Sequence, residues 1–340
     1  MGRVVLVTGV SHDFGGRFAR SIAADPAVSR VIGVDVVPPR GDLGEVSFVR
    51  ADIRNPVIAK VIAGQDVDTV VHMSVMSSPA RGAGHGGGPG AGRASMKEHN
   101  VIGTMQLLAA CQKAPGLERL VVKSSSAVYG SSSRDPAMFT EDMAAKRLPR
   151  SGYAKDVLEV EGYVRGFSRR RPDVAVTMLR AANTVGPTVS STLTDYFRMP
   201  AVPTVLGYDA RLQFLHESDL LGALRHAAVS GVHGTYNLAG DGVLMLSQAV
   251  RRLGRPSLPV PGVALTAVAT ASRRAGVRRL HAELTGFLTF GRVLDTHRMH
   301  VLLGFDPAYT SAEAFADFGR SIRPGLLPGG RERLVGVVDA

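Results

Sequence analysis

A single cysteine, Cys111, is all the thiol chemistry that 340 residues carry. It excludes an internal disulfide and fits a reducing, cytoplasmic setting. Long hydrophobic runs are missing too. The longest, Val263–Ala271, is far too short to span a bilayer, and the N-terminus runs straight into an apolar strand pattern, so no signal peptide is expected. Acidic residues are outnumbered, 29 against 40 basic ones, for a net charge of +11. The basic pairs and triplets (Arg169–Arg171, Arg251-Arg252, Arg273-Arg274, Arg278-Arg279) are scattered, however, and no aromatic residues interleave them. A stacking platform for nucleic acid is therefore not expected. Hydrophobic residues at 45% and charged residues at 20% describe an ordinary soluble globular chain, long enough for one large α/β core and a smaller lobe.

What is present begins with Met1–Gly16, MGRVVLVTGVSHDFGG. An apolar β-branched run, Arg3–Val7, meets Thr8-Gly9, and Gly15-Gly16 opens a helical pattern through Phe18, Ala19, Ile22 and Ala23. Strand, glycine turn and helix in that order build a phosphate site. The glycines let backbone N–H groups approach a pyrophosphate, and the helix N-terminus favours its charge. A G-x-x-G-x-x-G spacing needs glycine at 9, 12 and 15, and position 12 is His12. The second strand, Val31–Val36, carries Asp35 near its end, about twenty residues past the turn. An acid there accepts both ribose hydroxyls of an adenosine and repels a 2′-phosphate, which reads as NAD. Arg40 close by keeps NADP open as a second reading.

Further strands are expected at Val46–Val49, Thr69–Val75 and Leu120–Lys123, with helices near Val57–Ala63 and over Met96–Cys111. Pro79–Arg93, PARGAGHGGGPGAGR, has almost nothing to pack and reads as a mobile loop, either a lid or a plain insertion, with His85 in solvent. Leu258–Gly262 reads as a Pro-interrupted linker. Val263–Leu280 reads as a basic helix with an apolar side, packed on its own lobe or against a partner or membrane surface.

Taken together, VTGVSHDFGG, Asp35, Ala51-Asp52-Ile53, VVHMSV, HNVIGT, SSSAVYG, Tyr153 and LRAANTVGP run through the chain in order. So do LQFLHESDLLGAL, GTYNLAGDGVLMLSQ and LGFDPAYTSAEAFADF. This ordered set resembles the extended short-chain dehydrogenases/reductases, the NAD-dependent epimerase/dehydratase family that includes UDP-glucose 4-epimerase. The resemblance implies a Rossmann-type, doubly wound, mostly parallel seven-stranded sheet with a smaller C-terminal substrate lobe. It places the NAD domain at about 1–185, completed by about 212–240, and the substrate lobe at 186–211 and 241–335. It also implies NAD as cofactor, a nucleotide sugar or similar alcohol or ketone as substrate, and a homodimer.

Position by position, the resemblance assigns Gly9, His12, Phe14 and Gly15 to the pyrophosphate turn, Asp35 to the ribose, and Asp52 and Ile53 to the adenine. Met73, Ser74, Val75, Asn100 and Ala182 would line the nicotinamide side. Ser125 and Tyr153 match the catalytic serine and tyrosine, and Ser125, Asn183, Arg211 and Gln213 the substrate contacts. No metal is implied. One departure is serious: the family's Tyr-x-x-x-Lys reads Tyr153-Ala154-Lys155-Asp156-Val157 here. Lys155 sits two residues on, toward the far side of a helix. A tyrosine without a nearby cation titrates near 10 and is a poor base at neutral pH. Lys123, two residues before Ser125 on the same strand face, is a candidate for the relocated charge. Three functions follow: an NAD-dependent oxidoreductase or epimerase, an NAD-binding sensor or scaffold without catalysis, and a basic Rossmann protein bound to nucleic acid or membrane.

Overall fold

β-Branched runs with near-continuous burial build the central sheet. They are β1 (Arg3–Thr8), β2 (Val28–Asp35), β3 (Ser47–Arg50), β4 (Thr69–His72), β5 (Arg119–Ser125) and β6 (Ala175–Ala181). Four strands follow, β7 (Asn183–Val185), β8 (Val202–Val205), β9 (Arg211–Leu212) and β10 (Phe214–His216), before β11 (Gly234–Leu238) returns to complete the sheet. This computed structural model describes residues 2–75, 95–149, 152–262, 264 and 282–327. The glycine-rich stretch Pro79–Arg93, with His85, and all of Val263–Leu280 except Ala264 lie outside the described residues.

The sheet has seven strands in the order β11-β6-β5-β4-β1-β2-β3. The pairs β4–β5, β1–β4, β1–β2 and β2–β3 are parallel. Strands buried on both faces need apolar residues throughout, and Val5, Leu6, Val7, Val70, Val71, Val121 and Val122 meet that demand without exposed surface. Strand order reverses on the two sides of β1, so a crevice forms outside the C-terminal ends of β1 and β4, where ligands bind in such sheets. Helix α1 (Asp13–Ala23) buries Gly15, Phe18, Ala19 and Ile22, an i, i+3, i+4, i+7 stripe. Covering Phe18 and Ile22 alone contributes about 1.5–3 kcal/mol each.

Helix α2 (Val57–Gly64) leads into β4, which ends at His72, so Met73–Val75 lie beyond the strand at the crevice. The expected helix over Met96–Cys111 is present but not uniform: a π-turn at Glu98–Ile102 precedes α3 (Gly103–Gln112). Such a turn inserts an extra residue into the helical repeat, often at functional positions, and this one carries Asn100. Helix α4 (Gly152–Arg170) follows.

The chain divides into two compact units. The first is Met1–Ser125, Ser151–Arg180 and Leu221–Tyr236; the second is Ser126–Arg150, Ala181–Leu220 and Asn237–Ala340. The second unit has its own core, with Phe214 stacked on Phe315 at 5.1 Å and Phe197 edge-on to Phe315 at 4.9 Å. Its elements include α5 (Thr192–Phe197), β12 (Leu244–Met245), α7 (Leu246–Arg252), β13 (Ser257–Val260), α8 (Ala282–Phe290) and α9 (Ser311–Ser321); α6 (Glu217–Ser230) runs from this unit into the first. The expected linker at Leu258–Gly262 is a correction. Ser257–Val260 is a strand, parallel to β8 with Pro259 opposite Thr204. A two-stranded ribbon is all edge, where a proline's missing N–H is tolerated.

Candidate functional site

At the end of β1 the chain turns through Gly9 with φ +85°, a left-handed conformation that favours glycine. A Cβ on Gly15 would stand 2.1 Å from the Gly9 carbonyl oxygen, so only hydrogen fits there. His12 is different. It is the N-cap of α1 with φ −82° and ψ 143°, its side chain is exposed, and it makes no capping bond. The position does not demand glycine, and the imidazole stands in solvent at the positive end of the helix. The residues at this turn therefore fit a dinucleotide pyrophosphate, with the α1 N-terminus toward it.

Asp35 ends β2 and accepts one backbone N–H on each oxygen, from Ser11 at 3.0 Å and from Val36 at 2.7 Å. Each oxygen keeps a second lone pair, the requirement for holding two vicinal hydroxyls. Asp52, in contrast, is committed within the protein. Arg54 grips it through Nε (3.0 Å to each oxygen) and Nη2 (2.7 Å), which holds the carboxyl below the usual carboxylate range. Ile53 is buried against the spot where Gly103 lacks a side chain. Residue reading missed His99, one position before Asn100. Burial pushes its pKa down, opposed by Asp35 and Asp52 and reinforced by Arg54 and His12.

A chain of hydrogen bonds fixes the crevice floor. Met73 N–H donates to the Thr8 hydroxyl at 3.1 Å, and the Thr8 hydroxyl meets His72 Nδ1 at 2.9 Å. His72 Nε2 meets the Thr104 hydroxyl at 2.8 Å, and that hydroxyl donates to the Asn100 carbonyl at 2.6 Å. Because Thr104 gives its proton to Asn100, His72 must donate from Nε2 and accept at Nδ1. Burial holds His72 neutral, with its pKa pushed down to about 3. The Asn100 amide donates to Asp156 at 3.3 Å, both residues buried, which ties the π-turn to α4.

Ser125 closes β5 half-buried, and Tyr153 stands half-buried on the first turn of α4. Beside Ser125, the Ser124 hydroxyl donates to Glu161 at 2.6 Å. Glu161 is fully buried and also accepts from Arg180 Nε at 2.9 Å and Nη2 at 2.7 Å. Val157, where the family has lysine, has no exposed surface. Lys155 pairs with Glu159 at 3.7 Å along the helix. Lys123 is half-buried, burial pushes its pKa down, and among the described residues it has no hydrogen bond or ion pair.

In the second unit the Tyr129 hydroxyl donates to Asn237 at 2.7 Å and its ring stacks on Phe139 at 4.6 Å, so this tyrosine is a structural pin. The Gln213 amide, expected at a substrate, is committed at both ends: Nε2 donates to the Gly240 carbonyl and Oε1 accepts from Leu294 N–H at 2.8 Å. Both bonds follow from its burial, since a buried amide must find partners. Ala182 is buried and half-buried Asn183 opens β7. Arg211 is exposed beside a cavity. The sequence reading did not single out Arg292, whose guanidinium donates to the Gly130 carbonyl and reaches Ser126 at 3.3 Å.

The model of the NAD dependent epimerase/dehydratase family matches residues 5–239, and the chain belongs to that family of NAD-dependent enzymes. It is 50% identical over 332 residues to the uncharacterized protein Rv0501 of Mycobacterium tuberculosis, covering 96% of this chain and 86% of that protein. Among solved structures, the dTDP-glucose 4,6-dehydratase of Bacillus anthracis in complex with NAD has a TM-score of 0.68 at 19% identity, covering 94% of this chain and 96% of that one. The UDP-glucose 4-epimerase of Thermotoga maritima with UDP-glucose has a TM-score of 0.67 at 18% identity, covering 94% and 98%. No described helix is long and apolar enough to cross a membrane.

Proposed function

We propose that the chain is an NAD-dependent oxidoreductase or epimerase acting on a nucleotide sugar. The observation that carries the reading is the pairing of the Gly9–Gly15 turn with Asp35, whose oxygens keep the lone pairs a ribose needs. The named activities of the similar dehydratase and epimerase support the substrate class. NAD, when bound, supplies a reversible hydride acceptor. Ser125 would hold the reacting sugar oxygen by its hydroxyl, and Tyr153 would take and return that oxygen's proton. Gly9, His12, Phe14 and Gly15 would hold the pyrophosphate end; Met73, Ser74, Val75 and Asn100 would shape the nicotinamide side.

Val157 favours a second reading, a sensor or scaffold that binds NAD without turnover. Lys123 bears on the choice. A half-buried ammonium with no carboxylate partner among the described residues is costly, and a ligand hydroxyl or the Tyr153 phenol would relieve that cost. We assign Lys123 the missing positive charge on that ground. Tyr153→Phe tests the catalytic reading. NAD binding should persist while nucleotide-sugar-dependent reduction falls about 100-fold or more. Unchanged turnover would remove Tyr153 from the chemistry, and absence of turnover in the wild type would favour the sensor.

A further inference from the structure

Two adjoining cavities in the second unit are ringed by cations. The larger, about 480 Å³, has Arg134, Lys146 and Arg147 around a floor of Ser131–Ser133 and Phe290. The smaller, about 160 Å³, shares Ser132, Ser133 and Phe290 and adds Arg211 and Arg292. The one carboxylate among these lining residues, Asp135, already accepts from the Ser132 N–H and hydroxyl at 2.6 and 2.9 Å. Five cations therefore face a single engaged anion. Arg292 is held rather than loose. Its Nε and Nη2 donate to the Gly130 carbonyl, Nη2 to the Ser131 hydroxyl at 3.1 Å and Nη1 to Ser126 at 3.3 Å, and its guanidinium lies 5.5 Å from the centre of the Phe287 ring. A fixed positive charge thus stands next to Ser126, the residue that follows Ser125.

The remaining chemistry suits a sugar. The Ser131 and Ser132 hydroxyls already donate to the Gly130 carbonyl and to Asp135, so exposed Ser133 supplies the hydroxyl for a sugar, and half-buried Phe290, braced edge-on by Tyr208 at 5.7 Å, offers an apolar face for ring C–H groups. Resting on the nucleotide-sugar reading above, we infer that this pocket receives a glycosyl group carrying its own carboxylate, a sugar acid. A neutral hexose leaves the cations without a counter-charge, and a carboxylate accepts from guanidinium in a planar fork.

The test uses NAD-saturated protein and calorimetry with glucose and glucuronic acid, each as its uridine and its thymidine diphosphate ester, plus the two free diphosphates. The sugar acid should bind about tenfold more tightly than glucose in one nucleotide series, the scale of one charge-assisted fork. Arg134 and Arg147 are exposed, so Arg134→Gln with Arg147→Gln should leave folding intact. It should erase most of that preference and leave glucose-ester binding within about twofold. Equal or tighter binding of the glucose ester overturns the inference. So does a double variant that weakens free diphosphate and both esters alike, which would mark a diphosphate locus. Glucose-ester binding with NAD reduction but no acid preference removes only this inference. No binding of any ester by NAD-loaded protein removes the nucleotide-sugar reading with it.

Discussion

Gly15 has no room for any side chain at the turn that follows β1. A methyl group 2.1 Å from the Gly9 carbonyl forces the turn open, so Gly15→Ala should cost about 1–3 kcal/mol of stability. It should also weaken NAD binding by tenfold or more, read by thermal melts and calorimetry; unchanged affinity would separate the turn from the cofactor. Asp35→Asn keeps the shape but removes the charge. The preference for NAD over NADP, set at about 1 kcal/mol or more by anion–phosphate repulsion, should narrow, and an unchanged ratio would show that Asp35 does not read the ribose. At Lys123, Lys123→Met should lower kcat and move the base limb of the pH profile to higher pH, with Lys123→Arg restoring part of both. A profile that does not move would leave Lys123 without the assigned role. The glycine turn, and Asp35 at the end of β2, were legible in the sequence because both depend on local spacing. Arg292 and His99 were not, because their importance comes from partners at positions such as 126, 130 and 35, far away in the chain.

Elements add what residues cannot. β5, α4 and β6 are joined by the buried Ser124–Glu161–Arg180 cluster, which holds the strand end that carries Ser125. Glu161→Gln leaves the Arg180 guanidinium buried without its full counter-charge and should cost roughly 3 kcal/mol or more in urea denaturation; a loss below 1 kcal/mol would mean the cluster is dispensable. β1, β4 and the π-turn are joined through His72. Its pKa is depressed in the folded state to about 3 from 6.5, so the unfolded chain binds more protons between those values. This contribution is complete above pH 6.5 and is lost as pH falls toward 3, at about 1.4 kcal/mol per pH unit. His99, also lowered, acts in the same direction. Denaturation between pH 6.5 and 5 should show the slope, and His72→Gln should flatten it while lowering stability at pH 7. An equally steep variant would place the acid sensitivity elsewhere. The strand Ser257–Val260 was misread as a linker because Pro259 is a strong breaker signal, and only pairing with β8 reveals the strand. The π-turn was illegible for a similar reason: its residues keep a helical pattern, and one inserted position leaves no compositional mark.

For the whole molecule, the family, the seven-stranded parallel sheet and the Gly9–Gly15 turn agree with one another. A seven-stranded, mostly parallel sheet was implied by the family resemblance that motifs in chain order carry. The second unit's cationic cavities were not, since Arg134, Arg211 and Arg292 come from three separate stretches and meet only on folding. The proposed reaction is redox chemistry on a nucleotide sugar without the usual lysine at position 157. The most direct measurement is the absorbance of reduced nicotinamide in NAD⁺-loaded wild-type protein mixed with the neutral and acidic nucleotide sugars. A stoichiometric rise with one of them, lost in Tyr153→Phe, is the expected result; protein that binds NAD and the sugars yet never reduces the cofactor would contradict it.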